Sequence, residues 1–429
     1  MSSSPRKIGL LLGAGFSYDL GMPLAQELTE VLLDPFTARA ARKLARAMAG
    51  VRPFGADRLP NESALSEGLD VILAYKAANG RNYEAMLGEV ESLACRGAGT
   101  QSDRDSAHYL SSVLYERIYD ILSLYQTAAY ELLYPKNLRW YASLGNVLSP
   151  QETWIFTLNH DLLLECLALD LKIPVSYGDV DSKEFPVSNL EMHQRVRFSC
   201  IDRSRYSPTS AGFLRDRRGI NLVKIHGGLS EHAYDDKKVI CNLDLQRASS
   251  QELMSEYAKV SRMAYYQNGV LQEAARDRFV TNLEGRCDVL GKAMLTGAQK
   301  YSSTANPKPG EEKLAVFDGV LGQLDELTII GYGFGDKHVN FRLSHAMVRN
   351  DGLSIRIVDP HRDRLPDFLE PFDYKSRVRR AACGATLWMD YSKSNRWDEA
   401  QMRCLKENAS LRKVVRDRVE TALRRGRRR

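Results

Sequence analysis

Short, almost continuously apolar runs recur along this chain. They lie at 7–12 (KIGLLL), 153–158 (TWIFTL), 221–225 (NLVKI), 327–331 (LTIIG), 354–358 (SIRIV) and 386–389 (TLWM). Most do not alternate apolar with polar, so each predicts a strand covered on both faces, the signature of a parallel sheet. Helical stretches separate the runs, which gives an α/β, doubly wound, Rossmann-like expectation with ligands beyond the carboxyl ends of the strands.

Two long segments interrupt this frame. In the first, Leu110, Val113, Leu114, Ile118, Ile121, Leu122, Tyr125, Ala129 and Leu132 recur at helical spacing, and Pro135 is expected to end that helix. The second runs from about 251 to 300 and is expected to be helical up to the loop STANPKPGEE. The expected division is a discontinuous nucleotide-binding unit over 1–34, 150–240 and 312–395. Helical insertions occupy 35–149 and 241–311, and a basic helical tail covers 396–429.

With 429 residues, 44% of them hydrophobic, the chain can bury a sizeable core. It has no run of about 18 or more uncharged apolar residues, and its MSSSPRK start lacks a leader pattern, so a cytoplasmic protein without membrane contact is expected. Seven scattered cysteines form no CxxC pair, which predicts reduced thiols and no structural zinc. The net charge of +6 sits in the tail. Residues 411–429 hold nine Arg or Lys against two acids, leaving the rest near −1. Such a tail suits an acidic partner or nucleic acid, and equally a solvated helix face.

Four segments at strand ends carry the chemistry. GAGFS at 13–17 places Gly13 and Gly15 between a strand and a helix, where bare backbone approaches a pyrophosphate. Tyr18 replaces the third glycine of the usual dinucleotide fingerprint. TLNHDLLLE at 157–165 offers Asn159 and Asp161 for a carboxamide, a ribose hydroxyl or a water, one of the two being free to cap the next helix. KIHGGLS at 224–230 presents His226, suited to general-base work near neutral pH. IIGYGFGDKHVN at 329–340 brings three more glycines, with Asp336 expected to cap a helix, and Asp359 in IVDP is placed for a ribose diol.

In this order and at these positions, the four segments resemble the sirtuin superfamily. The resemblance implies an NAD⁺ site lined by Gly13, Ala14, Gly15, Phe16, Ser17, Thr157, Gly227, Gly331, Tyr332, Gly333 and Asp359. It makes Asn159, Asp161 and His226 the catalytic set, with His226 as base, and Gly333 stands where sirtuins usually have Ser. Deacylase sirtuins carry a zinc module with two CxxC pairs, which this chain cannot build. The pattern is therefore similar to the sirtuin-like NAD⁺ hydrolases of bacterial antiphage defence, enzymes that cleave NAD⁺ to nicotinamide and ADP-ribose. That likeness implies NAD⁺ as substrate, a homo-oligomer, and a HerA-type hexameric ATPase as partner. A deacylase or ADP-ribosyltransferase, a non-catalytic sensor of NAD⁺ or ADP-ribose, and a DNA-associated subunit working through its tail are the alternatives.

Overall fold

The computed structural model describes residues 6–53, 55–95, 99–273, 277–294, 310–361 and 364–426. Strand β1 (Ile8–Leu12) is followed by six helices: α1 (Ala25–Leu33), α2 (Ala38–Ala49), α3 (Glu62–Ala77), α4 (Tyr83–Cys95), α5 (Gln101–Leu132) and α6 (Tyr134–Tyr141). Next come β2 (Glu152–Thr157), α7 (Leu163–Asp170), β3 (Val175–Ser176), β4 (Asp181–Pro186), β5 (Arg195–Asp202), β6 (Gly219–Lys224), β7 (Glu231–Tyr234) and β8 (Val239–Leu243). Then follow α8 (Ser250–Arg262), β9 (Tyr266–Gln267), β10 (Val270–Leu271), β11 (Asp277–Thr281), β12 (Cys287–Lys292), α9 (Glu311–Leu321) and β13 (Glu326–Ile330). The chain closes with α10 (Lys337–Arg349), β14 (Ser354–Val358), β15 (Val378–Ala381), α11 (Ala385–Ser394) and α12 (Glu399–Gly426).

Seven strands form one sheet in the order β15-β14-β13-β1-β2-β6-β3, and every pairing in it is parallel. The continuous apolar runs are explained by cover on both sides. Leu10, Leu12, Ile155, Leu222 and Ile330 point into one core, packed with α1, α5, α7 and α11. Leu11, Phe156, Val223, Ile329 and Ile357 point into the other, against α9 and α10. The α/β, parallel-sheet expectation is met. Because β1 is central, with later strands added on either side, the crevice beyond its carboxyl end is where a ligand is expected.

Two expectations are corrected. The run at 386–389 lies in α11, because Ala385, Thr386, Trp388 and Met389 recur at helical spacing and bury one stripe. The outer strand is instead β15, VRRA, whose Arg379 and Arg380 stay exposed, as suits the edge of a sheet. The segment 241–311 is not a helical insertion. Among the described residues of 241–294 only α8 is helical, and the part after it carries β9 to β12. Residues 274–276 and 295–309, including most of the STANPKPGEE loop, lie outside the described residues.

Strands β11, β12, β7, β8, β5 and β4 form a second, antiparallel sheet. In β5 the alternation is plain, with Val196 and Phe198 buried between exposed Arg195 and Arg197.

Between β1 and β2 the described residues after α1 form helices α2 to α6, with the 32-residue α5 the longest of them. This helix stops at Leu132, and Pro135 sits in the first turn of α6, so the proline starts one helix as it closes the other. The basic segment is α12. It packs on α5 through Val415, Val419 and Leu423, spaced four apart and buried, while residues 427–429 lie outside the description. Among the described residues no helix is long and apolar enough to cross a membrane.

Candidate functional site at the strand ends

The four motif segments leave the carboxyl ends of β13, β1, β2 and β6, which are consecutive in the sheet. Parallel registration aligns these ends, so residues over 300 positions apart in sequence share one edge.

The glycine-rich turn after β1 and the one after β13 are fitted to each other. Gly13 N–H donates to Ile330 O and Gly15 N–H to Gly331 O, both at 3.0 Å. A Cβ on Gly15 would stand 2.6 Å from Gly331 Cα, and Gly331 itself has φ +64°. These glycines thus serve contact between two loops, a use the sequence does not distinguish from approach to a pyrophosphate. Phe16 is also reassigned: its ring is buried edge-on against Tyr141 at 5.5 Å and belongs to the core. Ala14 and Gly15 remain half-buried at the rim.

Asn159 ties the β1 and β2 ends together. Its Nδ2 donates to Gly13 O at 3.0 Å and to Ser17 Oγ at 3.2 Å. A carbonyl only accepts, so this neighbour fixes the amide's orientation and turns Oδ1 the other way. That oxygen accepts no hydrogen bond among the described residues. Thr157 supports the turn, its Oγ1 accepting from Asn159 N–H at 3.1 Å.

Asp161 takes the other part. It is buried, and its Oδ1 accepts from Leu163 N–H at 3.0 Å, closing an Asx turn that leads into α7. Burial pushes its carboxyl above the usual range, with Lys224 pulling the other way. Asp161 is thus engaged in the turn before α7, and the half-buried Asn159 is the side chain of the pair that faces outward.

His226 stands at the end of β6 with Nε2 2.9 Å from Asp336 Oδ2, both side chains 5% exposed. Asp336 caps α10 as expected, its Oδ1 accepting from His338 N–H and Val339 N–H at 2.8 and 3.1 Å. The second oxygen is what the sequence does not reveal: one carboxylate both starts a helix and orients a histidine 110 residues away. With Nε2–H donated to Asp336, the basic lone pair of a neutral imidazole lies on Nδ1.

Two further residues were not anticipated. Lys224, two positions before His226, is buried and donates to Glu165 Oε1 at 2.7 Å and to Asp161 O. Tyr177 OH donates to the same Glu165 oxygen at 3.0 Å. Phe334 adopts φ +59°, a strained value for a side-chain-bearing residue. On either side of it, a Cβ added to Gly333 or Gly335 would meet no atom within 4 Å, so this loop borders open space.

The other expected residues have local partners. Gly227, at φ +65°, is closely approached by Ala293 O, one residue past the end of β12. Tyr332 is buried, with its hydroxyl bonded to Asn340 and the Asp336 backbone, so its side chain braces the loop. Asp359 accepts from His361 N–H at the end of β14, two strands from β1.

A cleft of about 1660 Å³ lies elsewhere, between α5 and the second sheet, lined among others by Tyr109, Glu116, Asp120, Arg278 and Lys292. None of the strand-end motif residues lines it.

No protein-family model and no curated protein sequence matches the chain. A solved structure described as a Sir2 homolog–NAD complex is similar with a TM-score of 0.35 and 11% identity, covering 95% of this chain and 91% of that one. A likeness at this level carries no argument about function, so the functional case rests on the strand-end geometry.

Proposed function

We propose that this chain is an NAD⁺ hydrolase that cleaves the bond between nicotinamide and ribose. The observation that carries the reading is the gathering of Asn159, His226 with Asp336, and the Gly13–Ser17 turn on adjacent strand ends. The dinucleotide's phosphates lie against Ala14 and Gly15, and its nicotinamide end lies toward Asn159 and His226.

The chemistry asks little of the protein. Nicotinamide leaves as a neutral molecule from a cationic ring, so the C1′–N bond breaks without acid assistance and positive charge develops at C1′. Asn159 Oδ1 holds the incoming water or a ribose hydroxyl. The water's oxygen bonds to C1′, and its proton passes to His226 Nδ1 as the ring is steadied by Asp336. The balance is NAD⁺ plus water to nicotinamide, ADP-ribose and a proton.

The order of the motifs and the absence of CxxC pairs support a cytoplasmic, antiphage NAD⁺-depleting enzyme acting as a homo-oligomer beside a HerA-type ATPase. Incubation of the protein with NAD⁺, alone and with a co-encoded ATPase, is expected to release nicotinamide and ADP-ribose in equal amounts. Tight NAD⁺ binding with no release in either condition would reject hydrolysis in favour of a sensor.

A further inference from the structure

The loop after the glycine-rich turn is held from outside its own sheet. Tyr141 OH on α6 donates to Phe16 O at 2.5 Å, and Asn137 Nδ2 donates to Asp19 O at 2.5 Å. Asn137 is in turn held by Asn408 on α12, whose Nδ2 donates to its Oδ1 at 2.6 Å. From the next turn of α12, Arg412 donates through Nη1 to Tyr18 O and, at 3.2 Å, to Met22 O. Its Nη2 donates to Glu27 Oε2 at 2.7 Å, and its guanidinium lies 3.5 Å from the centre of the Tyr18 ring. One planar fork thus spans both ends of the short 3₁₀ turn Tyr18–Leu20 and the start of α1.

These bonds reach the candidate site through the backbone. Met22 N–H and Leu20 N–H both donate to Ser17 O, and Ser17 Oγ accepts from Asn159. Arg412 is only 12% exposed and its Nη1 and Nη2 already donate to carbonyls and Glu27, so its part is to position the loop rather than to meet phosphate directly.

We infer that α12 clamps the nucleotide loop, with Arg412 as the positioning residue that holds Ser17, and through it Asn159, in place for NAD⁺. This rests on the NAD⁺ reading of the strand-end site. The basic C-terminal segment is then part of the substrate site's scaffold, and any partner that grips the exposed side of α12 acts on the same loop.

The test uses the full chain with Arg412→Met, which keeps an apolar stem, and Arg412→Lys, which keeps one charge. Backbone hydrogen exchange of the 16–22 segment, measured without NAD⁺, is expected to quicken in Arg412→Met while exchange in β13 and β14 stays as in the wild type. For NAD⁺ cleavage, KM is expected to rise roughly tenfold, about what one charge-assisted hydrogen bond is worth, with kcat much less changed. Arg412→Lys is expected to fall between the two, and methylguanidinium added to Arg412→Ala to lower KM again. Unchanged exchange and unchanged KM in folded Arg412→Met would overturn the clamp. A wild-type protein that neither binds nor cleaves NAD⁺ would overturn the NAD⁺ reading, and the exchange measurement would still decide whether Arg412 orders the loop.

Discussion

His226→Ala is expected to lower the rate of nicotinamide release by about 10²- to 10⁴-fold, the usual worth of a general base. The variant should keep its circular dichroism spectrum, because the removed ring lies at a strand end and its partner Asp336 retains two backbone donors on α10. Asn159→Ala should fall as far by a different route. It loses the Oδ1 acceptor and also the tie between Gly13 O and Ser17 Oγ, so KM is expected to rise along with the loss in kcat. Asp336→Asn separates orientation from capping. Asparagine still caps the helix, but its amide no longer stabilises the charged imidazole, so activity should lie between wild type and His226→Ala with little loss of stability. Steady-state kinetics of the three variants beside their thermal midpoints checks the set. Near wild-type turnover in both His226→Ala and Asn159→Ala would remove the catalytic assignment.

The second large effect is on the fold behind the site. Lys224 and Glu165 form an ion pair in which each side chain is 1% exposed. Replacing Lys224 by Met leaves Glu165 charged, buried and held by Tyr177 alone, a change expected to cost about 3–5 kcal/mol. It also removes the donor to Asp161 O, so the 159–161 turn should loosen and activity should fall with stability. The double variant Lys224→Met/Glu165→Gln removes both charges and is expected to regain much of the loss. Denaturant midpoints of the single and double variants measure this. Equal midpoints for the single variant and the wild type would show that the pair adds nothing to stability.

Much of the parallel sheet is legible in the sequence because its strands are buried on both faces, and two-sided burial writes a continuous apolar run. IGLLL, ETWIFT, ELTII and SIRIV are of this kind. The same rule misreads TLWM, since four apolar residues fit a helix stripe as well as a strand, and it passes over the exposed VRRA edge. The second sheet escapes for a related reason. Several of its strands are half-exposed and carry charge, as in DSKEFP and RVRFSCID, and alternation of that kind is quiet beside the apolar runs. At the site, local signals place His226, Asn159 and the cap on Asp336. What they cannot give is long-range pairing: His226 with Asp336, Gly15 with Gly331, or Arg412 with Tyr18. The glycines show how a correct position carries an open meaning. A residue without a side chain marks a close approach, and only the folded chain reveals that Gly15 approaches Gly331.

An experimental structure of the His226→Ala variant with NAD⁺ shows whether the dinucleotide occupies the crevice beyond β13, β1, β2 and β6. The dinucleotide is expected against Ala14 and Gly15, with its nicotinamide ribose beside Asn159 and the position vacated by the imidazole. NAD⁺ seated instead in the cleft lined by Tyr109, Asp120 and Arg278, with the strand ends empty, would contradict it.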